Sequence, residues 1–153
     1  MIGNPETYPA VSTQPSDTTL LLGDGTLEAM IRDGEARFPD ECCGFFFGLD
    51  GDTRQVREVL VVPNSQEGDQ RRRFEIAPRD YMRAERYAIE QGLDLLGIYH
   101  SHPDHPAIPS VHDLKQALPH FSYLILSIRE GRYDHARSWR LDGQGLFAEE
   151  AVV

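Results

Sequence analysis

The chain has 153 residues, a formal net charge of −10 and a mean hydropathy of −0.45. That length lets one apolar core stabilise the fold without disulfides or a structural metal, so any bound metal is free to serve catalysis. The acidic balance argues against a nucleic-acid partner, and no apolar run reaches the length of a membrane span.

The opening stretch MIGNPETYPAVSTQPSDTT has neither the charged nor the apolar region of a signal peptide, and a cytoplasmic protein is expected. Residues 1 to 18 are rich in Pro, Ser and Thr and read as a disordered tail, with a single domain over 19 to 153. Leu20 to Leu22 read as a short edge strand. Thr26 then caps a helix whose Leu27, Met30, Ile31, Gly34 and Phe38 recur at helical spacing until Pro39 stops it.

From Cys42 to Leu49 the run CCGFFFGL is apolar on both faces, as in a buried central strand. Its adjacent cysteines point to opposite faces, cannot easily bridge, and are expected as two reduced, buried thiols. A turn at Asp50 to Asp52 leads into a second strand, Arg54 to Val62, that completes a hairpin. Residues 64 to 73, NSQEGDQRRR, read as a mobile loop, and Phe74 to Ile76 as a short strand. The basic run Arg71 to Arg73 is either a solvated loop or a dock for an acidic protein partner.

Pro78 at a first helical position and Gly92 at a helix end bound a second helix over 78 to 91, with Tyr81, Ala84 and Ala88 on its buried side. Leu95 to His102 follows as a central strand, with Leu96, Ile98, His100 and His102 on one face. Ser110 opens a short third helix ending by Pro119. Phe121 to Arg129, Asp134 to Leu141 and Leu146 to Ala148 read as closing strands. The order of elements gives an α/β or α+β fold, a curved mixed β-sheet flanked by helices.

The chemistry concentrates in GIYHSHPDHPAIPSVHD, residues 97 to 113. His100 and His102 leave the same face of a strand roughly 6–7 Å apart at Cα, close enough to reach one ion. Ser110 and Asp113 stand at the start of the next helix, and Pro103, Pro106 and Pro109 stiffen the loop between. Two neutral imidazoles and a carboxylate leave a fourth zinc position open for water, the arrangement of a hydrolytic site. Ser110 and Asp113 also form a capping-box-like pair that requires no metal. Glu41, ahead of the buried strand, is the acid best placed to act as a base, although an acid after Pro-Asp is more often a turn residue. His105 and His112 fit contacts around the site better than ligation.

Taken together, Glu41 followed by His100-Ser101-His102, seven residues, Ser110, two residues and Asp113 resembles the signature of the JAMM (MPN) metalloprotease family. The likeness extends to ECCGFFFG, FEIAPRDY, GIYHSHP and FSYLILSI. It implies a cytidine-deaminase-like layering of sheet and helices, one zinc per chain held by His100, His102 and Asp113, Glu41 as general acid/base, and Ser110 as a hydrogen-bond donor. It further implies cleavage of amide or isopeptide bonds at the C-terminal tail of a ubiquitin-like protein, the tail lying against an exposed sheet edge. The short connection from Asp113 to Phe121 is similar to bacterial members that act on small ubiquitin-like sulfur-carrier proteins rather than polyubiquitin. The alternative is a catalytically inactive protein-binding module of a larger assembly.

Lysine occurs once, at Lys115, against fourteen arginines and 25 acids, a balance suited to concentrated salt. On that hypothesis molar KCl raises the melting temperature; a salt-induced fall in a thermal melt would refute it.

Overall fold

The computed structural model describes residues 8–153. Among them are seven strands and three helices: β1 (Thr19–Leu22), α1 (Thr26–Arg37), β2 (Cys43–Leu49), β3 (Thr53–Val62), α2 (Pro78–Gln91), β4 (Asp94–Pro103), α3 (Val111–Gln116), β5 (Ser122–Arg129), β6 (Arg132–Leu141) and β7 (Phe147–Val152). The mixed sheet runs β1-β3-β2-β4-β5-β6-β7 and closes on itself, giving a barrel-like α+β fold. None of the described helices is long and apolar enough to cross a membrane.

Closure corrects the reading of β1 as an edge. Thr19–Leu22 pairs in parallel with β3, while Thr19 and Leu20 also pair in parallel with Ala151 and Val152 of β7. Four residues carry too little pattern to reveal that both sides of the backbone are used, although the fully buried Leu20 fits the result. Pairing with β1 stops at Val56, so β3 beyond it has a strand partner only on its β2 side among the described strands.

The segment expected to be a disordered tail has two parts. Residues 1–7 lie outside the described residues. Farther on, Ser12 N and Ser16 N donate to Phe147 O and Glu149 O at 2.7 and 2.9 Å, so this stretch docks along β7. Its few apolar residues hid an attachment made through the backbone.

Local chemistry shifted several boundaries. The cap of α1 is Gly25 at φ 78, a left-handed conformation that glycine tolerates, while Thr26 lies inside the first turn and donates from Oγ1 to Gly23 O. Phe74 to Ile76 is not a strand. Its polar backbone is satisfied instead by Asn64 Oδ1, which accepts from Glu75 N, while Ser65 N donates to Glu75 O and the Phe74 and Ile76 side chains are buried. β7 runs farther than expected because its acids are paired across the ladder: Glu149 with Arg137 at 2.6 and 2.9 Å, and Glu150 with Ser138 at 2.8 Å.

The strands bury apolar side chains on both faces. One face gathers Cys43, Phe45, Phe47, Ile98 and Ile125 with Ala84 and Ala88 of α2. The other gathers Cys42, Phe46, Leu96, Tyr99 and Leu124 with Met30 of α1. Leu96 therefore does not share the face of Ile98, His100 and His102. The β2–β4 register slips between Phe46 and Phe47, and the extra residue on β4 reverses the alternation there. Both cysteines are free and buried, on opposite faces as expected, and burial pushes both thiols up, Cys43 to about 12.

Close approach sets one further requirement. A Cβ on Gly97 would sit 2.0 Å from Ser122 O and 2.6 Å from the Phe46 ring, so β4 can lie against β5 only with glycine there. Gly97→Ala is expected to cost about 1–3 kcal/mol in urea unfolding, as overpacked cores do; an unchanged midpoint would show that the strands relax freely.

Candidate metal and catalytic site

The site is built where β2 and β4 run antiparallel. Cys43 partners His100, so two residues back along β2 the chain brings Glu41 level with His102. The pairing is locked beyond the strand end: Cys42 N donates to Ser101 Oγ at 2.8 Å and Ser101 N to Cys42 O at 3.2 Å. Because Ser101 and Cys42 point away from the site, His100, His102 and Glu41 point into it. One ligand atom from each of these three, all buried, lies within 4.8 Å of the others.

Asp113 completes the cluster from α3. Its Oδ2 lies 3.0 Å from His102 Nε2, and its Oδ1 lies 3.5 Å from His100 Nε2. The capping-box reading of Ser110 and Asp113 is met, and it leaves the carboxylate beside the histidines. Ser110 Oγ accepts from Asp113 N at 3.1 Å while Asp113 Oδ2 accepts from Ser110 N at 2.8 Å, a complete capping box that aims the carboxylate at the histidines.

The hydrogen bonding leaves a demand for a cation. His102 Nδ1 donates to Pro106 O at 2.9 Å, which puts the lone pair of a neutral ring on Nε2, facing Asp113 Oδ2. Two acceptors face each other there unless a proton or a metal lies between them. His100 Nδ1, His100 Nε2 and Glu41 Oε1 are buried without a hydrogen-bond partner among the described residues. Orphaned polar atoms so close together fit an ion that would satisfy them. Tetrahedral bonds of about 2.0–2.1 Å place ligand atoms roughly 3.3 Å apart, close to the His–Asp distances here. Two imidazoles and a carboxylate are a donor set suited to zinc.

The electrostatics of the four groups are coupled. Burial works to raise Asp113, but His100, His102 and the hydrogen bonds from His102 and Ser110 outweigh it and hold the carboxyl well below the usual range. Burial likewise works to lower His102, yet Asp113 beside it raises the ring above its ordinary value. For His100 burial wins and the ring is held neutral. Glu41 is pushed well up by burial, with His102 opposing and Asp113 adding to the rise. This carboxyl group of raised basicity lies 3.4 Å from His100 Nδ1, within reach of the atoms around the cluster.

Glu41, His102 and Ser110 line a cleft of about 390 Å³, whose rim carries Arg71, Arg72 and Arg73. His105 and His112 line it as well but stand outside the buried metal-ligand group. Several contributors were not singled out from sequence. Phe74 stacks on His100 with ring centroids 4.4 Å apart, and Asn64 Nδ2 donates to Glu41 O. The loop before α3 is held by more than its prolines: Trp139 Nε1 donates to Ala107 O, His135 Nε2 accepts from Ala107 N, and Ser127 Oγ donates to His105 O. Only Phe74 left a sequence signal, as an apolar residue after a polar run.

Similar sequences and folds occur among known proteins. The family described as prokaryotic homologs of the JAB domain matches residues 24–142. A desampylase of Pyrococcus furiosus is 31% identical over 139 residues, 90% of this chain and 92% of the relative. A probable TtuB-protein conjugate cleaving protease of Thermus thermophilus is 36% identical over 78 residues, 51% of this chain and 52% of the relative. The solution structure of a protein from Desulfitobacterium hafniense superposes with a TM-score of 0.77 at 30% identity, covering 88% of this chain and 92% of the other.

Proton and metal compete for the space between His102 and Asp113. Because the metal-free His102 holds its proton above the ordinary histidine pKa, zinc must displace it, so affinity should rise with pH until that raised pKa is passed. Calorimetric zinc titrations in buffers of different ionisation enthalpy should show proton release near pH 7. Uptake without release would exclude His102 as a ligand.

Proposed function

Because the chain belongs to the prokaryotic homologs of the JAB domain, the JAMM/MPN family, we propose that it is a zinc-dependent isopeptidase. Its substrate in this reading is an amide bond at the C-terminal tail of a small ubiquitin-like, sulfur-carrier protein, cleaved in the cytoplasm by the single domain spanning 19 to 153. The observation that carries the reading is the buried group of Glu41, His100 and His102, with Asp113 3.0 and 3.5 Å from the two histidines and unpartnered atoms on Glu41 and His100, beside a cleft. The names of the two curated relatives, a desampylase and a conjugate-cleaving protease, support the substrate class. An intact donor set favours this reading over the inactive binding module.

His100, His102 and Asp113 would hold the ion. When bound, zinc supplies Lewis acidity that polarises a carbonyl and brings the pKa of water toward about 7. Glu41, whose burial raises its basicity, takes the proton from the attacking water and delivers it to the leaving amine. Ser110 Oγ already accepts from Asp113 N, so its own proton is free to be donated to the oxygen on which charge develops. Phe74 covers one face of His100 and keeps water from that side. In this reading an extended tail lies along the edge of β3 from Arg57 to Val62, which lacks a strand partner opposite β2 among the described strands and leads toward Asn64 and the cleft.

Zinc-loaded protein should cleave a ubiquitin-like conjugate and lose that activity to a chelator. Glu41→Gln should keep its zinc and lose about 10²–10⁴-fold in kcat. A Glu41→Gln protein with full activity would remove Glu41 from the mechanism.

A further inference from the structure

We propose that Arg71, Arg72 and Arg73 form a carboxylate-binding subsite that selects substrates carrying acidic side chains beside the scissile bond. The proposal deepens, and rests on, the hydrolase reading above. All three arginines are exposed and line the same cleft as Glu41, His102 and Ser110.

A run of exposed arginines is ordinarily a solvated loop, but this one is fastened to the catalytic wall. Glu41 N donates to Gln70 O at 2.8 Å. Asn64 Nδ2 reaches both Glu41 O at 3.2 Å and Arg73 O at 3.1 Å, and Asn64 Oδ1 accepts from Gln66 N and Glu75 N. Gln70 Nε2 closes the loop on itself by donating to Asn64 O and Gln66 O. The same backbone bonds therefore fix where Glu41 sits and where the arginine run enters and leaves, so the guanidinium groups are presented at a set reach from the reacting atoms.

The charge of the run is largely uncompensated. Asp69 is its one ion-pair partner among the described residues, 3.8 Å from Arg72 Nε, and both side chains are largely exposed, so that pair is weak. The cleft lining also holds His105 and His112, and its two carboxylates are Asp69 and the buried Glu41, neither of which forms an ion pair with Arg71 or Arg73 among the described residues. Three adjacent like charges repel one another, and a chain of net charge −10 has acids to spare that could have neutralised them. A planar guanidinium fork matches a carboxylate in two parallel hydrogen bonds, which favours an acidic ligand over a neutral one. The remainder of this acidic protein repels such a segment, so the field directs it to the rim.

The test uses fluorescent peptides ending in Gly-Gly joined by an isopeptide bond to a lysine peptide. Two glutamates lie on the carrier side, on the leaving side, or are replaced by glutamine. Binding is read by anisotropy on zinc-loaded Glu41→Gln protein, which does not turn the probes over, with Arg71→Ser/Arg73→Ser added in the same background. At least one acidic probe is expected to bind about tenfold tighter than the glutamine probe at low salt, a difference worth about 1.4 kcal/mol. Added salt should shrink the gap, and the arginine substitutions should erase it with an unchanged thermal melt. Equal binding of all probes, no binding of any, or a gap that survives the substitutions would overturn the subsite. Cleavage by the zinc-loaded protein with Glu41 intact is scored separately. An acid preference without cleavage of any probe would sink the hydrolase reading and leave the subsite standing.

Discussion

The antiparallel pairing of β2 with β4, carried past the strand end by the Cys42–Ser101 bonds, is the constraint on which the site depends. A carboxyl group and two histidines more than fifty residues apart in sequence meet only because one register places them level. Side-chain alternation then turns them toward the same face. A slip of one residue would send the histidines into the opposite apolar cluster and turn Ser101 into the cleft. The shared serine–backbone bridge penalises that slip directly, because it would strand a buried amide and a buried hydroxyl together.

Having set the positions, the fold leaves the polar atoms there short of partners. His100 has none for either nitrogen among the described residues, and the contact of His102 with Asp113 requires a proton or a cation between its two atoms. Unpartnered polar atoms in such a cluster cost stability, so an ion bound there would stabilise the fold by linkage. The apolar environment that raises Glu41 is supplied by the same burial. Thus one feature, exclusion of water from the end of β4, both leaves polar atoms without partners and raises the pKa of the nearby Glu41.

Much of this was legible in the sequence where the cause was local. The two-residue spacing of His100 and His102, the Ser110 cap and the helix bounded by Pro78 and Gly92 follow from periodicity and end chemistry, and the structure places them as read. Leu96 was misassigned because a bulge depends on the partner strand, not on the strand itself. Glu41 stayed ambiguous for a similar reason: its surroundings are set by residues 64, 70, 100 and 102, none of them near in sequence. The loop from Asn64 to Arg73 looked mobile because its polar residues were counted as solvated, whereas Asn64 and Gln70 spend their amides on the backbone.

The parallel seam between β1 and β7 joins Leu20 to Val152, near opposite ends of the sequence, and encloses every donor of the site between them. Loop-closure entropy grows only with the logarithm of length, each doubling adding about 0.6 kcal/mol, so the seam is costly to reach but not thereby weak once made. The hairpins that carry Glu41 and the sheet beside the histidines close over far shorter distances and can form beforehand. The contacts are thereby nested in sequence: the hairpins are local, the β2–β4 pairing spans an intermediate distance, and the join between β1 and β7 spans nearly the whole described chain.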